Sequence, residues 1–404
     1  MDAFIKAFEK ILKVERPWHI AKTEVISSTK TVHFYLEYDD GTKFPCAVCG
    51  IKCGVYDSTV RVWRHLDICD YRCYLYIKIP RTQCKEHGVK VLGKHEFGRI
   101  NTHFSFKLEE LIINRCRSMS MSAIARELGE TDTTLWSVFK HYIKQGIDKM
   151  DCSATKRIGV DETASKRGHH YMSVFSDIDT GKVIFVTEGK EAEVFAKFYQ
   201  GLFDRMGDPN FITLISMDMS KAYIAGQQQY FVGAQVVFDR FHIKKALNEA
   251  VDQVRKKEVR TVEELKKTKY IWLKNPGNLT DDQQQKLQTF LQQSSTKTAQ
   301  AYGLKTAFDQ LWAIQESAVE KTLQVWFELV KQSALQPMFR FVRTIKRHYK
   351  GVVNSMTSFI SNAAAEGLNS IIQLVKSRAR GYRNPENFKN MIYFIGNDFK
   401  FSFH

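Results

Sequence analysis

Residues 156–186 read KRIGVDETASKRGHHYMSVFSDIDTGKVIFV and contain three runs rich in β-branched and aromatic side chains. The runs cover residues 156–161, 171–177 and 182–186. The second and third runs flank Asp179-Thr180-Gly181, a tripeptide typical of a hairpin turn. We therefore predict three antiparallel strands in this stretch.

Strand and helix patterns alternate after these three runs. An amphipathic helix is predicted over residues 192–206, a buried strand over FITLISMD (211–218), a short helix, and a further strand over QVVFD (235–239). Such alternation is typical of an α/β sheet domain. From Ile243 to about Met356 only helical patterns remain, with capping boxes predicted at Thr261 and Thr280, so we predict an all-helical insertion.

Composition restricts the class of protein. A chain of 404 residues suggests about two to four domains. It carries 60 Lys and Arg against 44 Asp and Glu, a net charge of +16, which favours a nucleic-acid partner. The charged opening MDAFIKAFEKIL is unlike a secretory signal, and no apolar run reaches membrane-spanning length. We expect a cytoplasmic, nucleoid-associated protein with no membrane contact, in which reduced cysteines serve metal binding.

Six of the eight cysteines lie in the first 100 residues, where short strands and turns are predicted around them. Cys46 and Cys49 have the two-residue gap of a metal-binding turn, and Cys84 and His87 repeat that gap. Three thiolates and one imidazole suit tetrahedral zinc. The fourth ligand stays open, because four other candidates lie between the pairs: Cys53, His65, Cys69 and Cys73.

The segment SMSAIARELGETDTTLWSVFKHY (120–142) has the spacing of a helix-turn-helix. Apolar residues mark one face of each helix, and Gly129 falls at the turn. A pair of ordinary packed helices has the same pattern, but the positive net charge favours DNA binding. The side chains expected to point outward from the second helix, toward DNA, are Thr133, Thr134, Ser137, Lys140 and His141.

Two aspartates close predicted strands. Asp161 ends the first strand and Asp218 ends the strand after the first helix, so both emerge at one sheet edge if those strands are neighbours. Adjacent carboxylates repel each other and are tolerated chiefly where cations bridge them, which predicts Mg²⁺ or Mn²⁺. Glu162 should point to the opposite face of the sheet. A lone strand-end aspartate is more often a turn residue, so the prediction needs a third carboxylate.

The helix predicted after the insertion, stopped at Gly381, offers that carboxylate. Its polar side chains recur at spacings of three and four and form one stripe: Glu366, Asn369, Gln373, Lys376 and Arg380. Such a face suits a metal at one end and DNA phosphates at the other. A solvated stripe with i to i+4 pairing has the same periodicity and remains the alternative.

Several motifs, in this order, resemble one family: the cysteine cluster with WRHLD (63–67) and PRTQCKEHG (80–88), VDET (160–163), SMDMSKAY (216–223), FDRFHIKKALNEAVD (238–252), and SNAAAEGLNSIIQLVKSRARGYRN (361–384). They look like the ISL-three family of bacterial insertion-sequence transposases. The resemblance spans nearly the whole chain. His87 departs from the family pattern, which often has a fourth cysteine in the zinc module.

The resemblance implies an RNase H-like α/β catalytic domain with a mixed sheet, an all-α insertion and a DDE triad. Mapped onto this chain, the catalytic and magnesium-binding carboxylates are Asp161, Asp218 and Glu366. Asp239 and His242 match the family's D-x-x-H element and are expected to support the site, as is Asn369. Lys376 and Arg380 on the same helix as Glu366 are expected to contact DNA.

The expected activity is cleavage of terminal inverted repeats and joining to target DNA, catalysed by two metal ions and carried out by a homodimer or larger assembly. Two alternatives are a DNA-binding regulator with an inert RNase H-like domain, and an RNase H-like nuclease without strand transfer. The expected divisions are a zinc module (1–100), a helix-turn-helix (101–150), the first part of the catalytic core (151–242), the insertion (243–356) and the rest of the core (357–404).

Overall fold

The computed structural model describes residues 2–93, 95–165, 170–293, 296–358 and 363–403. The chain divides into two compact units, one formed by Met1–Gln145 together with Lys400–His404 and the other by Gly146–Phe399. Each unit has its own sheet and its own hydrophobic core. Among the described residues, no helix combines the length and the apolar character needed to cross a membrane.

The N-terminal part of the chain contains a β module, which carries the predicted zinc ligands, and then three helices. Its elements are α1 Asp2–Leu12, β1 Trp18–Ile26, β2 Thr31–Tyr38, β3 Phe44–Pro45, β4 Lys52–Cys53, β5 Val55–Arg64, β6 Arg72–Cys84, β7 Gly88–Val91, α2 Phe106–Arg115, α3 Met121–Leu128 and α4 Asp132–Asp148.

The strands of this module are longer than predicted. The sheet has the order β1-β2-β6-β5, with β7 paired to β6. Strand β6 alone has 13 residues, and its side chains alternate between the buried core and the other face of the sheet. The prediction of short strands around the cysteines was therefore wrong for β5 and β6. It holds for β3 and β4, which have two residues each.

The helix-turn-helix is confirmed in its predicted place. Helix α3 ends at Gly129, whose φ of 63° is left-handed and therefore favours glycine. A Cβ at this position would also collide with the guanidinium of Arg72. Helix α4 restarts after Thr131, whose hydroxyl accepts a hydrogen bond from the backbone N–H of Thr134 at 3.3 Å.

The second unit begins with a sheet, continues through a long helical insertion and ends with two helices. Its elements are β8 Arg157–Ala164, β9 Tyr171–Asp177, β10 Val183–Glu188, α5 Glu193–Phe203, β11 Leu214–Met217, α6 Lys221–Tyr230, β12 Gln235–Phe238, α7 Arg240–Glu258, α8 Lys269–Leu273, α9 Asp281–Gln293, α10 Lys297–Asp309, α11 Glu316–Ser333, α12 Gln336–Arg347, α13 Tyr349–Thr357, α14 Ala363–Arg378 and α15 Pro385–Ile395.

The sheet of the second unit has the strand order β10-β9-β8-β11-β12. Strands β8, β9 and β10 are antiparallel, as predicted, while β11 lies parallel to both β8 and β12. The predicted hairpin turn is present, with Gly181 at a φ of 70°. This mixed α/β sheet, followed by helices, confirms the predicted RNase H-like fold class.

One hydrophobic core extends from the sheet into the helical insertion. On the sheet, the rings of Phe175 and Phe198 stack with centroids 4.2 Å apart, which fixes α5 against β9. Within the insertion, Trp272 is fully buried and its indole N–H donates to the hydroxyl of Thr268 at 3.0 Å. The insertion therefore packs as part of the unit's core.

The two predicted capping boxes have different outcomes. Thr280 and Gln283 exchange the reciprocal hydrogen bonds of a capping box, both at 3.4 Å, at the start of α9. Thr261 does not cap a helix, because its hydroxyl donates to the carbonyl of Glu258 at the end of α7. That prediction was wrong, since the segment after Thr261 forms only a short 3-10 turn.

Helix α13 covers the edge of the sheet along β12. The side-chain amide of Asn354 donates to the carbonyl of Val236 at 2.7 Å. Gly351 allows this close approach, because a Cβ there would lie 2.5 Å from the ring of Phe238. The strand before the acidic site is therefore held by the last helix of the insertion.

Candidate functional site

Asp161 lies in the interior of β8, and not at its end as predicted. The strand continues to Ala164 because its pairing with β9 extends to Tyr171. Asp161 is opposite Val174 in this register, and its side chain is half-buried. Its carboxylate accepts a hydrogen bond from the backbone N–H of Glu162 at 2.7 Å.

Asp218 follows directly after β11, the parallel neighbour of β8. The register pairs Ser216 with Gly159, so the two aspartates lie near each other, each two residues beyond a paired position. The carboxylate of Asp218 accepts from the backbone N–H of Met219 at 2.6 Å. Parallel neighbouring strands thus bring together two acidic side chains that are far apart in sequence.

His242 connects the two aspartates. Its Nε2 lies 3.9 Å from Asp161 Oδ1 and its Nδ1 lies 3.6 Å from Asp218 Oδ1. Burial opposes protonation of this ring, but the neighbouring carboxylates outweigh burial and raise the pKa of His242 above its usual value. The imidazole therefore lies where a protonated ring would offset repulsion between the two carboxylates.

Asp239 fixes the start of the helix that carries His242. Its carboxylate accepts from the backbone N–H of Phe241 at 2.7 Å and so caps α7. Burial raises the pKa of Asp239, and the charges of Asp161 and Glu366 act in the same direction. Asp239 thus belongs to the electrostatic environment of the acidic cluster.

Helix α14 runs along β8 and presents its polar stripe to that strand. The side-chain amide of Asn369 donates to Asp161 Oδ2, and that of Gln373 donates to the hydroxyl of Thr163 at 3.2 Å. The ammonium group of Lys376 donates to the carbonyl of Ala164 at 2.9 Å. These three contacts tie the middle of the stripe to the sheet, so it is not the solvated surface stripe considered above.

Glu366 lies three residues before Asn369, on the same side of α14, and is exposed. Ser361 and Asn362, which begin the sequence motif around this helix, lie outside the described residues. The spacing places Glu366 one turn beyond the contact with Asp161. Its carboxylate is close enough to Asp239 to raise the pKa of that group.

The three carboxylates nevertheless remain apart. Within the described part of the chain, no set containing Asp161, Asp218 and Glu366 has ligand atoms that all lie within 4.8 Å of one another. Glu162 is paired with Ser173, whose hydroxyl group lies 2.8 Å from the hydroxyl of Tyr223. Glu162 therefore belongs to the opposite face of the sheet, as predicted from strand alternation.

Four other side chains form a compact cluster. The ligand atoms of Cys46, Cys49, Cys84 and His87 all lie within 4.8 Å of one another. Two turns present them, one between β3 and β4 and one between β6 and β7. Gly50 and Gly88 take positive φ values of 74° and 67° in these turns, where a left-handed backbone favours glycine.

The dimensions of this cluster fit zinc. Cys49 Sγ lies 3.8 Å from Cys84 Sγ, and Cys84 Sγ lies 3.6 Å from His87 Nδ1. Tetrahedral zinc with Zn–S bonds of about 2.3 Å requires sulfur atoms about 3.8 Å apart. The hydrogen bond from His87 is the main cause that lowers the pKa of Cys84 to about 6, which favours the thiolate that a metal needs.

The other candidates for the fourth ligand lie outside this cluster. His65 is buried, its Nδ1 lies 2.7 Å from the hydroxyl of Ser105, and burial lowers its pKa to about 4. Cys73 is part of the hydrophobic core, where burial raises its pKa to about 12. The thiol of Cys53 donates to the carbonyl of Ile51 at 3.3 Å, and Cys69 is exposed.

Helix α4 presents part of the predicted DNA-reading surface. Thr133 and Ser137 are exposed, and Lys140 is half-buried. Thr134 is less available, because its hydroxyl lies 2.8 Å from that of Thr131 at the start of the helix. Arg380 is exposed just beyond the end of α14, in the second unit.

Arg64 joins the helix-turn-helix to the β module, a role that was not predicted from the sequence. Its buried guanidinium donates to the carbonyl of Leu128 at 2.6 Å and to the carboxylates of Glu130 and Asp67. Arg64 belongs to the sequence motif WRHLD, but the motif does not indicate which groups Arg64 contacts. Gln373 was likewise part of the predicted polar stripe, but the sequence did not predict its hydrogen bond to Thr163, which ties α14 to β8.

Comparisons with known proteins agree with this architecture. A family model described as transposase matches residues 158–392, more than half of the chain. The helix-turn-helix domain of transposase family ISL3 matches residues 103–143. The zinc finger of transposases IS204, IS1001, IS1096 and IS1165 matches residues 42–87, which include all four side chains of the compact cluster.

Two curated relatives cover most of the chain. The transposase for insertion sequence element IS1001 from Bordetella parapertussis is 27% identical over 361 residues, which is 85% of this chain and 86% of the relative. The transposase for insertion sequence element IS1557 from Mycobacterium tuberculosis is 23% identical over 372 residues, which is 84% of this chain and 83% of the relative.

An RNase H-like sheet, a helix-turn-helix and a zinc ribbon together define an enzyme that acts on DNA. The chain belongs to the ISL3 family of transposases. The zinc-ribbon match also supports Zn²⁺ in the N-terminal module.

Proposed function

We propose that this transposase cuts and joins DNA with two divalent metal ions held by Asp161, Asp218 and Glu366. One observation carries the proposal: adjacent parallel strands bear the two aspartates, and the helix that bears Glu366 is bonded to Asp161 through Asn369. These contacts support a common site for three acidic residues that are far apart in sequence.

The donor set fits hard cations, because carboxylate oxygens are the ligands that Mg²⁺ and Mn²⁺ prefer. When bound, a pair of such ions activates an attacking water or 3′ hydroxyl and stabilises the leaving oxygen at phosphorus. His242 orients both aspartates, and Asn369 holds Asp161 in place. Asp239 positions His242 by capping α7. No serine, tyrosine or cysteine acts as a nucleophile in this scheme.

Cys46, Cys49, Cys84 and His87 hold a structural zinc ion in the same proposal. All four protein ligands are present, as in closed structural zinc sites, and no position is left for a substrate. The ion fixes the two turns that end in Gly50 and Gly88. It therefore stabilises the β module to which Arg64 attaches the helix-turn-helix.

We further propose that the N-terminal modules recognise the terminal inverted repeats. Helix α4 would read the DNA with its outward side chains, namely Thr133, Thr134, Ser137 and Lys140. Lys376 and Arg380 would lie near the DNA backbone beside the acidic site, although Lys376 also binds the carbonyl of Ala164. The two DNA ends of the insertion sequence must be paired, so the working form is a homodimer or larger assembly on double-stranded DNA.

The proposed domains follow one another along the chain. Residues 1–100 form the zinc module and 101–150 the helix-turn-helix domain. The catalytic core is formed by residues 151–242 and 357–404, and residues 243–356 are its insertion. Helix α7 crosses the first boundary of the insertion, so His242 and the first insertion residues share one helix.

An end-joining assay tests the function. A duplex that carries the terminal repeat and its flank is incubated with the protein, target plasmid and Mg²⁺. A transposase nicks the repeat boundary and joins the freed end to the plasmid. Binding without cleavage would instead identify a DNA-binding regulator, and cleavage without joining would identify a nuclease.

A further inference from the structure

A cleft in the described part of the second unit lies beside β12, away from the contact between α14 and β8. It has a volume of about 650 Å³. One wall is the loop from α6 to β12, which includes Gly233, and the other is the junction of α12 and α13. None of the groups assigned to the acidic cluster lines this cleft.

The cleft has an apolar lining that includes Val236 and Phe238, and cationic and amide side chains lie among these apolar groups. Arg347 and Lys350 are both exposed at its wall, and His348 lies between them in sequence. None of the described residues that line the cleft is an aspartate or glutamate. Among the described residues, neither Arg347 nor Lys350 is a partner in an ion pair. The charge of this surface is therefore positive and uncompensated.

The cleft adjoins the acidic cluster. Phe238 lines it and directly precedes Asp239, the residue that caps α7. The ring of His348 lies 5.4 Å from the ring of Phe238. Burial lowers the pKa of His348, and the charge of Asp218 acts in the opposite direction.

We propose that this cleft binds the phosphodiester backbone of the DNA strand next to the bond that is cut, with Arg347 and Lys350 as the phosphate contacts. The inference rests on the proposed function and assigns a new binding site to it. DNA phosphates need cations, and amide side chains such as those of Gln228 and Gln235 supply further hydrogen bonds to phosphate. A cationic cleft beside an acidic site also counteracts the repulsion that the carboxylates exert on DNA.

The first test adds a negative charge to the cleft. Gly233 is exposed and a Cβ there meets no atom within 4 Å, so Gly233→Glu should fold. Gly277 is equally open but lies in the insertion and does not line the cleft, so Gly277→Glu is a control with the same change in net charge. Fluorescence anisotropy in a buffer without Mg²⁺, Mn²⁺ or a chelator, with a labelled duplex of about 30 base pairs and the corresponding single strand, measures affinity without cleavage and leaves bound zinc in place.

The second test removes the cations. Arg347→Gln with Lys350→Gln is compared with Arg343→Gln with Lys346→Gln, which removes the same charge from neighbouring positions that do not line the cleft. For the cleft variant we expect the slope of log affinity against log salt to fall by about two, or about one per lost phosphate contact. For the control pair we expect a smaller change.

The proposal is overturned if both cleft variants bind both probes as their controls do. A loss of affinity for only the single strand, or for only the duplex, supports the proposal and identifies the form of DNA that occupies the cleft. Failure of the catalytic proposal is distinct, because all of these measurements are made without Mg²⁺ or Mn²⁺ and do not depend on cleavage.

Discussion

The two candidate metal sites of this protein are built in opposite ways. The four ligands of the zinc cluster come from two short turns, and their ligand atoms already lie within 4.8 Å of one another. The acidic residues come from two strands and a helix that are separated by up to 205 positions, and they remain further apart. His242 and Asn369 occupy positions between or beside them.

The difference matches the two kinds of metal chemistry. A structural zinc site must bind one small ion tightly, so its ligands are best arranged before the ion arrives. A two-metal site must hold ions about 3.5–4 Å apart and also admit a phosphate, so a wider arrangement is required. The comparison predicts that changes in the first site alter folding and DNA binding, whereas changes in the second alter cleavage alone.

The largest expected effect is that of Asp218→Asn. Loss of one of the three proposed metal-binding carboxylates should reduce cleavage of a terminal-repeat duplex by about 1000-fold or more, while affinity for the same duplex is retained. Asp204→Asn makes the same change in an exposed residue at the end of α5 and should leave the cleavage rate unaltered. Undiminished cleavage by the Asp218 variant would remove this residue from the site.

Cys46→Ser changes the zinc cluster and should therefore affect zinc binding and DNA binding. Removing one of four zinc ligands should lower the zinc content, measured by atomic absorption, from one equivalent to well below one. Affinity for the terminal-repeat duplex should fall by about tenfold or more, because the β module supports the helix-turn-helix. Cys69→Ser, in an exposed thiol outside the cluster, is the control, and equal zinc content in both variants would contradict the assignment.

The effect on cleavage expected for Asn369→Ala is smaller than that of Asp218→Asn. The amide of Asn369 positions Asp161 and does not itself contact DNA in the proposal, so cleavage should slow by about 10- to 100-fold and require more Mg²⁺. Ser370→Ala is a matched control on the same helix, because the Ser370 hydroxyl only donates to the carbonyl of Glu366. An unchanged Mg²⁺ dependence in the Asn369 variant would argue against the positioning role.

The smallest effect concerns the scaffold of the acidic site. Gly351→Ala places a methyl group against the ring of Phe238 and should destabilise the protein by about 1–3 kcal/mol, measured as a lower urea midpoint. Gly303→Ala, on the exposed side of α10 where a Cβ meets no atom within 4 Å, should instead stabilise by up to about 1 kcal/mol. Equal midpoints would show that α13 can shift away from β12.

Much of the second unit could be predicted because its strands are short and bounded by turns. The hairpin around Gly181, the buried strand before Asp218 and the helical insertion all followed from periodicity. The end of β8 could not be predicted, because polar Asp161 and Glu162 interrupt its apolar pattern while backbone pairing with β9 continues. Thr261 was misjudged because a capping sequence does not reveal whether a helix long enough to cap will follow it.

The sheet of the first unit was harder to predict. Val60 and Val62 are exposed on β5, so apolar residues occur on both faces and obscure the alternation that marks a strand.

Helix α15 was also missed, although Asn384 caps it and Pro385 occupies its first turn, a start signal that the sequence contains. The link that His242 makes between two aspartates could not be foreseen, because it depends on where α7 begins relative to β11.

The last described residues belong to the first compact unit, although they follow the second. Phe401 and Phe403 pack on the ring of Tyr142 in α4, with centroids 5.8 and 4.7 Å away. Ribosomal synthesis therefore delivers the helix-turn-helix early but its final aromatic packing only after Glu366 has been made. A nascent chain therefore lacks the aromatic packing on α4 until the proposed catalytic residues have been synthesised.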